Sequence, residues 1–186
     1  MNPENGNDLS GKITVPAFDP NGVPVLGIGL MTSYKKGDNP NNTYPDTPLG
    51  QKITHIFFDK AGEFEFVEAC AFRNPQAASD SYSLTGVYLP DTIRVLKDRC
   101  FEQMTHINEV TLNDEITTIG YRAFRGQLIA PNVVNINKLP AKLVSLGSEA
   151  FYKCANLRIS ELPQGIKSLG DETFRYCTNI TLDEFG

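Results

Sequence analysis

Hydrophobic and small residues recur along this chain in one phrase that is repeated several times. The phrase begins with two aliphatic residues three positions apart and a Gly, and it continues with a small residue, Phe and Cys. Two copies, at 143–154 and 166–177, agree at all of these positions with an offset of 23 residues (166 − 143). A fixed period of this size predicts a solenoid, because one repeat cannot bury its own apolar face and stacked repeats can.

Four weaker copies of this phrase precede these two. They begin at Val23, Phe64, Ile93 and Ile116, so the six starts are 41, 29, 23, 27 and 23 residues apart. The period is regular near the C-terminus and loosens toward the N-terminus. We therefore predict an insertion at 31–52, where Pro, Asn, Asp and Gly are frequent, and a second one at 74–83.

A second phrase, with aliphatic residues in the form LxxLxL, lies between the copies of the first. It is complete at 53–58, 84–89 and 107–112, and shorter or altered versions occur at 13–15, 133–139, 157–162 and 180–182. Alternating aliphatics followed by Pro predict a short strand that stops there, because Pro cannot donate to the ladder. We expect the aliphatic residues to face a core and the residues between them to face outward from a parallel sheet.

The Phe residues of the first phrase should stack along that core in a continuous ladder. The residue before each Phe is small because neighbouring turns of the solenoid approach closely there, and the Gly permits a tight backbone turn. The ladder is predicted to contain Phe72, Phe101, Phe124, Phe151 and Phe174.

Together, the two phrases resemble the BspA-type leucine-rich repeat over about residues 13 to 182. The chain departs from that repeat at Lys97, which replaces the Gly, and at Thr173, which replaces the Ala before Phe. The resemblance implies a leucine-rich repeat solenoid, β-dominated within the α/β class, with a parallel sheet on one face and short strands and turns on the other. It also implies a secreted or surface-displayed bacterial protein that serves in adhesion.

Length and composition set the outer limits of this interpretation. The 186 residues predict one solenoid at 13–186 after a flexible polar arm at 1–12, and no run is long and apolar enough for a membrane span. The net charge of −5, without clustered Lys and Arg, argues against nucleic acid. The start lacks the apolar stretch of a signal peptide, so export would need a leader outside this chain, and a cytoplasmic protein is the alternative.

Catalytic and metal-binding motifs are nearly absent from the sequence. A catalytic Cys–His pair would need a partly exposed Cys, whereas Cys100 takes the small core position beside Phe101. The acidic residues at 38–46 lack the spacing of a calcium-binding loop. We therefore expect no enzyme, no cofactor and no metal site.

The four Cys residues raise the question of disulfides. Cys154 and Cys177 occupy equivalent positions, so parallel neighbours would place them about 5 Å apart, which permits a disulfide. In-register side chains point the same way, however, and resist the required twist. Since buried Cys behaves as a small hydrophobe, we predict four buried thiols at Cys70, Cys100, Cys154 and Cys177.

Three classes of function remain open. The chain could be a binding module for an extracellular protein or glycan, or a structural spacer or assembly subunit that uses its stacked ends, and an enzyme is the least supported. We expect the binding module. We also expect a monomer, because Asp183 and Glu184 add charge to the last strand edge.

We place the ligand site on the outward positions of the second phrase. Phe57 and Tyr88 fall in consecutive repeats at the position between the last two aliphatics, so they should lie side by side. Exposed aromatic residues are favoured anchors of interfaces, although a cross-strand aromatic pair also stabilises a sheet by itself. The predicted site comprises His55, Phe57, Tyr88, Glu109, Thr111, Asn135, Lys138 and Arg158.

Overall fold

A computed structural model describes residues 11–28, 53–73, 84–104, 107, 109–126, 136–155 and 157–181. Within these ranges there are ten strands and no α-helix, so no described helix could cross a membrane. The strands are β1 (Gly11–Val15), β2 (Gly27–Ile28), β3 (Ile53–Phe58), β4 (Phe66–Val67), β5 (Gly86–Tyr88), β6 (Val95–Leu96), β7 (Glu109–Thr111), β8 (Thr118–Ile119), β9 (Ser145–Leu146) and β10 (Ser168–Leu169).

These strands form two parallel sheets with the core between them. The first sheet has the order β1-β3-β5-β7, and the second has the order β10-β9-β8-β6-β4-β2. The chain passes from one sheet to the other and back in each repeat, so it winds as a coil. The predicted β-dominated leucine-rich repeat solenoid is therefore confirmed, with short two-residue strands on the side opposite the longer ones.

The alternation of the second phrase places the first sheet's aliphatic residues in the core. Ile56, Val87 and Val110 lie in register on β3, β5 and β7, and all three are buried. Beyond β7 the described residues of this side form no strand. Neighbouring coils are joined there by single backbone bonds, such as Arg158 N to Ile136 O at 3.2 Å. The expected parallel sheet is thus regular over four coils and irregular after them.

The Phe ladder crosses the core as predicted. Successive rings are stacked with centroid distances of 5.0, 5.2, 5.2 and 5.9 Å and with interplanar angles of 16° or less. The rings belong to Phe72, Phe101, Phe124, Phe151 and Phe174. The small position before Phe is buried throughout, and at Thr173 the hydroxyl donates to Gly170 O at 2.6 Å. A hydroxyl thus fits the Ala position because a backbone carbonyl accepts its hydrogen bond.

The Gly of the first phrase has a different role from the one predicted. A Cβ added at Gly147 would lie 2.5 Å from the carbonyl carbon of Gly120, and one added at Gly170 would lie 2.1 Å from Ser148 N. Neither Gly has a positive φ. The Gly is therefore required by the approach of the preceding coil's backbone, and the predicted tight turn is not the reason.

The first repeat is shifted from its predicted register. Gly27 pairs with Phe66, and Ile28 pairs with Val67. The two aliphatic residues that this coil contributes to the core are therefore Val25 and, three positions later, Ile28. The predicted pair, Val23 and Leu26, is 57% and 42% exposed. The prediction was wrong by two residues, because the segment VPVLGIGL offers apolar pairs followed by Gly in two registers.

The cysteines are thiols, but they are not all buried. Cys100 and Cys154 are buried, whereas Cys70 and Cys177 are half-buried. Cys70 takes the position of Arg99 in the next coil, which is an outward position with positive φ. The prediction of four thiols is confirmed, and the prediction that all four are buried was wrong for these two.

The predicted domain boundaries stay predictions. Strand β1 begins at Gly11, two residues before the expected start of the solenoid at Ile13. The rest of the predicted arm and the two predicted insertions, at 31–52 and 74–83, lie outside the described residues.

Candidate functional site

An aromatic stack stands on the outer face of the first sheet. In β3, Ile56 and Phe58 turn inward and are buried, so Phe57 between them faces outward. Tyr88 occupies the same place on β5, and the two rings lie 4.6 Å apart at an angle of 5°. The predicted pairing of Phe57 and Tyr88 is confirmed.

His55 extends this stack toward the start of the strands. Its ring lies 6.5 Å from that of Phe57 and 6.2 Å from that of Tyr88, and it is nearly parallel to both. Its Nδ1 lies 3.0 Å from Thr54 Oγ1. Gly86 lies opposite His55 on β5, and a Cβ there would come within 2.8 Å of His55 Cδ2. The imidazole therefore lies over a position at which a side chain is absent.

A hydrogen bond joins the aromatic stack to the next strand. The Tyr88 hydroxyl donates to a carboxylate oxygen of Glu109 on β7. This hydrogen bond to Glu109 raises the pKa of Tyr88 above its ordinary value, because it stabilises the protonated hydroxyl and because the nearby negative charge opposes a phenolate. An ordinary tyrosine is already neutral at physiological pH, and this contact keeps Tyr88 a neutral hydrogen-bond donor to higher pH.

Two shallow cavities, each lined by both polar and apolar side chains, continue the face beyond Tyr88. The first, of about 410 Å³, is lined by Glu109, Val110, Thr111, Leu112, Ile136, Asn137 and Lys138. The second, of about 500 Å³, shares Asn137 and Lys138 and extends to Ser160, Glu161 and Gln164. The two cavities therefore form one groove, and Asn137 and Lys138 lie where they meet.

The one cationic side chain among the described lining residues of this groove is ion-paired. Lys138 Nζ lies 3.1 Å from Asp114 Oδ1, and the backbone N–H of Ala141 donates to the same oxygen at 3.0 Å. The Ala141 N–H bond, followed by the Lys138 contact, lowers the pKa of Asp114 below its ordinary value. Lys138 is thus an ion-paired member of the groove wall.

Most of the predicted site residues are brought together. His55, Phe57, Tyr88 and Glu109 are in contact, Thr111 lies beside Tyr88 in the ladder register, and Lys138 lines the groove. Arg158 is exposed two coils beyond Glu109, and no contact joins it to the stack. Asn135 lies outside the described residues. Gly86 and Asn137, which the predicted site leaves out, belong to it.

Metal ligation and a nucleophilic Cys are two further kinds of chemistry that a site can carry. The described residues contain no cluster of three His, Cys, Asp or Glu side chains that could hold a metal. Cys100 is fully buried, and burial raises the pKa of its thiol well above the usual range, so it is unsuited to act as a nucleophile.

Comparison with known proteins gives the same fold. A family model described as "BspA type Leucine rich repeat region (6 copies)" matches residues 74–185, more than half of the chain. No curated protein matches the sequence.

Two solved structures are similar to this one. A leucine-rich repeat protein of T. pallidum is 23% identical, with a TM-score of 0.57 over 71% of this chain and 58% of that one. A leucine-rich cell surface protein of Faecalibacterium prausnitzii A2-165 is 17% identical, with a TM-score of 0.61 over 92% of this chain and 46% of that one. The chain thus spans about half the length of these structures, and the similarity shows the fold alone.

Proposed function

This chain belongs to the BspA-type leucine-rich repeat family, and on that premise we propose that it is a non-enzymatic binding module displayed on or secreted from a bacterial cell. Proteins of this repeat type generally serve as interaction modules. Its ligand would be an extracellular protein or glycan, held on the outer face of the first sheet, and the chain would act as a monomer.

The aromatic stack is the observation that carries this proposal. His55, Phe57 and Tyr88 are half-buried on a face whose other described side chains are small or polar. Aromatic side chains supply much of the binding energy at interfaces, since they bury a large area with few rotatable bonds. A groove that begins at Glu109 continues from the stack, so a ligand could contact both.

A purely structural role for the stack is the competing explanation. Aromatic pairs across neighbouring strands contribute about 0.2–1 kcal/mol to a sheet without any ligand. The double variant Phe57→Ala/Tyr88→Ala separates the two explanations. If the stack serves recognition, binding is lost while the free energy of unfolding changes by less than about 1 kcal/mol.

Pull-down from panels of immobilised matrix proteins and glycans is the measurement. Tyr176→Ala is the matched control, because Tyr176 is an exposed aromatic residue in the last described coil, away from the first sheet. The control should bind as the unaltered protein does. Unchanged affinity in the double variant, or a clear drop in its melting temperature, would favour the structural role.

A second function, as an assembly subunit or spacer, is favoured by one observation. The large hydrophobic side chains with the greatest exposure lie in the first and last described coils: Phe18, Val23, Leu26, Leu169 and Tyr176. Apolar ends suit the stacking of one molecule on another. Light scattering distinguishes this function from that of a monomeric binding module.

A further inference from the structure

The stack of aromatic rings ends where one more ring would fit. Phe57 and Tyr88 are 4.6 Å apart, close to the distance of about 4.8 Å between neighbouring strands. The next position in the same column is Thr111, which is paired with Tyr88 and is exposed. Thr111 is short and carries no ring, so no described aromatic side chain stands beside Tyr88 on β7. A flat ligand ring over Thr111, beside the Glu109 carboxylate that accepts from the Tyr88 hydroxyl, would continue the stack against Tyr88 at the same spacing.

The groove beside that position is lined with hydrogen-bonding groups. Around Thr111 it offers the carboxylate of Glu109 and the amide of Asn137. Further along, it offers the hydroxyl of Ser160, the carboxylate of Glu161 and the amide of Gln164. Such groups donate to and accept from hydroxyls. The groove also has apolar lining residues, such as Ile136 and Leu162. The combination of an aromatic surface and a groove of mixed polar and apolar lining suits a ligand that has C–H faces and many hydroxyls.

The charges near Thr111 disfavour an anionic ligand. Lys138 is paired with Asp114, whereas Glu109, which accepts the hydrogen bond of Tyr88, and Glu161 keep their negative charges in the groove. A sialylated or sulfated ligand would therefore meet like charges. An uncharged ligand can use the remaining lone pairs of Glu109 without disrupting its bond to Tyr88.

The same face is poorly suited to a protein partner. Stable protein interfaces cover about 800 Å² on each side around an apolar, aromatic-rich centre. None of the described large hydrophobic side chains that are well exposed lies in a strand of the first sheet. The face offers a narrow aromatic edge and a groove of mixed polar and apolar lining instead.

We propose that the ligand of this face is an uncharged oligosaccharide, with one sugar ring stacked on Tyr88 above Thr111 and the next units in the groove along Asn137. This inference rests on the proposed binding function and specifies its ligand class. Thr111 and Asn137 then determine where the chain of sugars lies, and Tyr88 supplies the stacking surface.

The test uses the full chain on an array of neutral oligosaccharides, with sialylated and sulfated oligosaccharides and immobilised matrix proteins alongside. Thr111→Arg places a long side chain at that position and should abolish binding to the neutral sugars. Thr14→Arg is the matched control, because Thr14 is exposed in the same column on the far side of Phe57. It should bind like the unaltered protein. Tyr88→Ala should weaken binding about tenfold, the effect of losing one aromatic contact.

Each outcome decides the inference. Binding to neutral oligosaccharides that Thr111→Arg loses and Thr14→Arg keeps supports it. Binding confined to matrix proteins, and lost in Phe57→Ala/Tyr88→Ala, overturns it while supporting the proposed binding face. Binding confined to charged oligosaccharides overturns the inference that the ligand is uncharged. Binding that Thr111→Arg leaves intact overturns the inference that a sugar ring lies above Thr111. Absence of binding to every probe overturns the inference and counts against the proposed function as well.

Discussion

At the scale of single residues, one added methyl group decides whether two coils can pack. A Cβ at Gly147 would meet the backbone of Gly120 and Tyr121 at 2.5 Å, and backbone atoms cannot rotate away as a side chain can. Gly147→Ala should therefore lower the free energy of unfolding by about 1–3 kcal/mol through overpacking. Urea denaturation measures this.

Gly165→Ala is the control for that substitution. A Cβ at Gly165 would lie 3.4 Å from Leu143 O, which is an ordinary contact, and its φ is not positive. Its free energy of unfolding should change by about 0.5 kcal/mol or less. Equal effects of the two substitutions would show that the close approach at Gly147 is not what requires a Gly.

The thiols give a second prediction at this scale. Denatured, unreduced protein should titrate four thiols. In the native protein, Cys177 should react slowly near pH 8, because burial raises its pKa to about 11 and little thiolate is present. Its rate should rise as the pH approaches that value, and Cys100 should stay unreactive because it is fully buried. If only two thiols, or none, titrate in the denatured and unreduced protein, disulfides form.

Backbone conformation at single positions was the part of the fold least accessible from sequence. Each complete described coil has residues with positive φ at two fixed positions. The first directly precedes the small residue, as Glu149 does, and the second lies two positions after Phe, as Lys153 does. Gly126 is the one Gly at these positions in the described coils. Charged and polar residues do not signal positive φ, so the pattern of residues alone could not predict these turns.

At the scale of elements, the Phe ladder is the main structural support of the core. Phe151 is buried and stacked on both sides, 5.2 Å from Phe124 and 5.9 Å from Phe174. Phe151→Ala should cost about 3–5 kcal/mol, because it removes buried area and leaves a cavity between two rings. Denaturant melts would show the loss.

Phe174→Ala is the matched control for that change. Phe174 is half-buried and is stacked on one described ring, so less contact is lost on truncation. We expect a cost clearly below that of Phe151→Ala. A loss below about 1 kcal/mol at Phe151 would contradict its place in the core.

Periodicity predicted the elements well where the repeat is regular, and failed where the segment itself is ambiguous. From Phe64 onward the spacing of aliphatics, Gly and Phe left one possible register. Near the first coil, Gly27 and Gly29 both follow an apolar residue, and the pairing of Ile28 with Val67 decides between them. That pairing joins distant parts of the chain, so the spacing of residues within the first coil cannot predict it.

At the scale of the whole molecule, sequence predicted the face of the site but not its boundary. Alternation was sufficient to place His55, Phe57, Tyr88 and Glu109 outward in neighbouring strands. The groove depends on how the coils at Thr111, Asn137 and Ser160 sit beside one another. Among the described residues the first sheet has no strand beyond β7, so these relative positions follow from tertiary packing and not from the spacing within any one repeat.

The oligomeric state depends on the two ends of the solenoid. β10 is an edge of the second sheet whose Ser168 and Leu169 are exposed, and an exposed edge can pair with another molecule. We nevertheless expect a monomer at micromolar concentration. Leu169 and Tyr176 are the well-exposed large apolar side chains of the last described coil, and polar residues such as Lys167 and Asp171 flank Leu169, whereas a stable interface needs a larger apolar centre.

Light scattering at several concentrations tests this expectation, with Leu169→Lys as the comparison variant. If the protein is a monomer, both proteins should show the mass of one chain, about 20.5 kDa, at every concentration. If the ends assemble, the unaltered protein should show a larger mass that rises with concentration, and Leu169→Lys should return it to one chain because a charged edge disfavours pairing. That second result would favour the assembly subunit over the monomeric binding module.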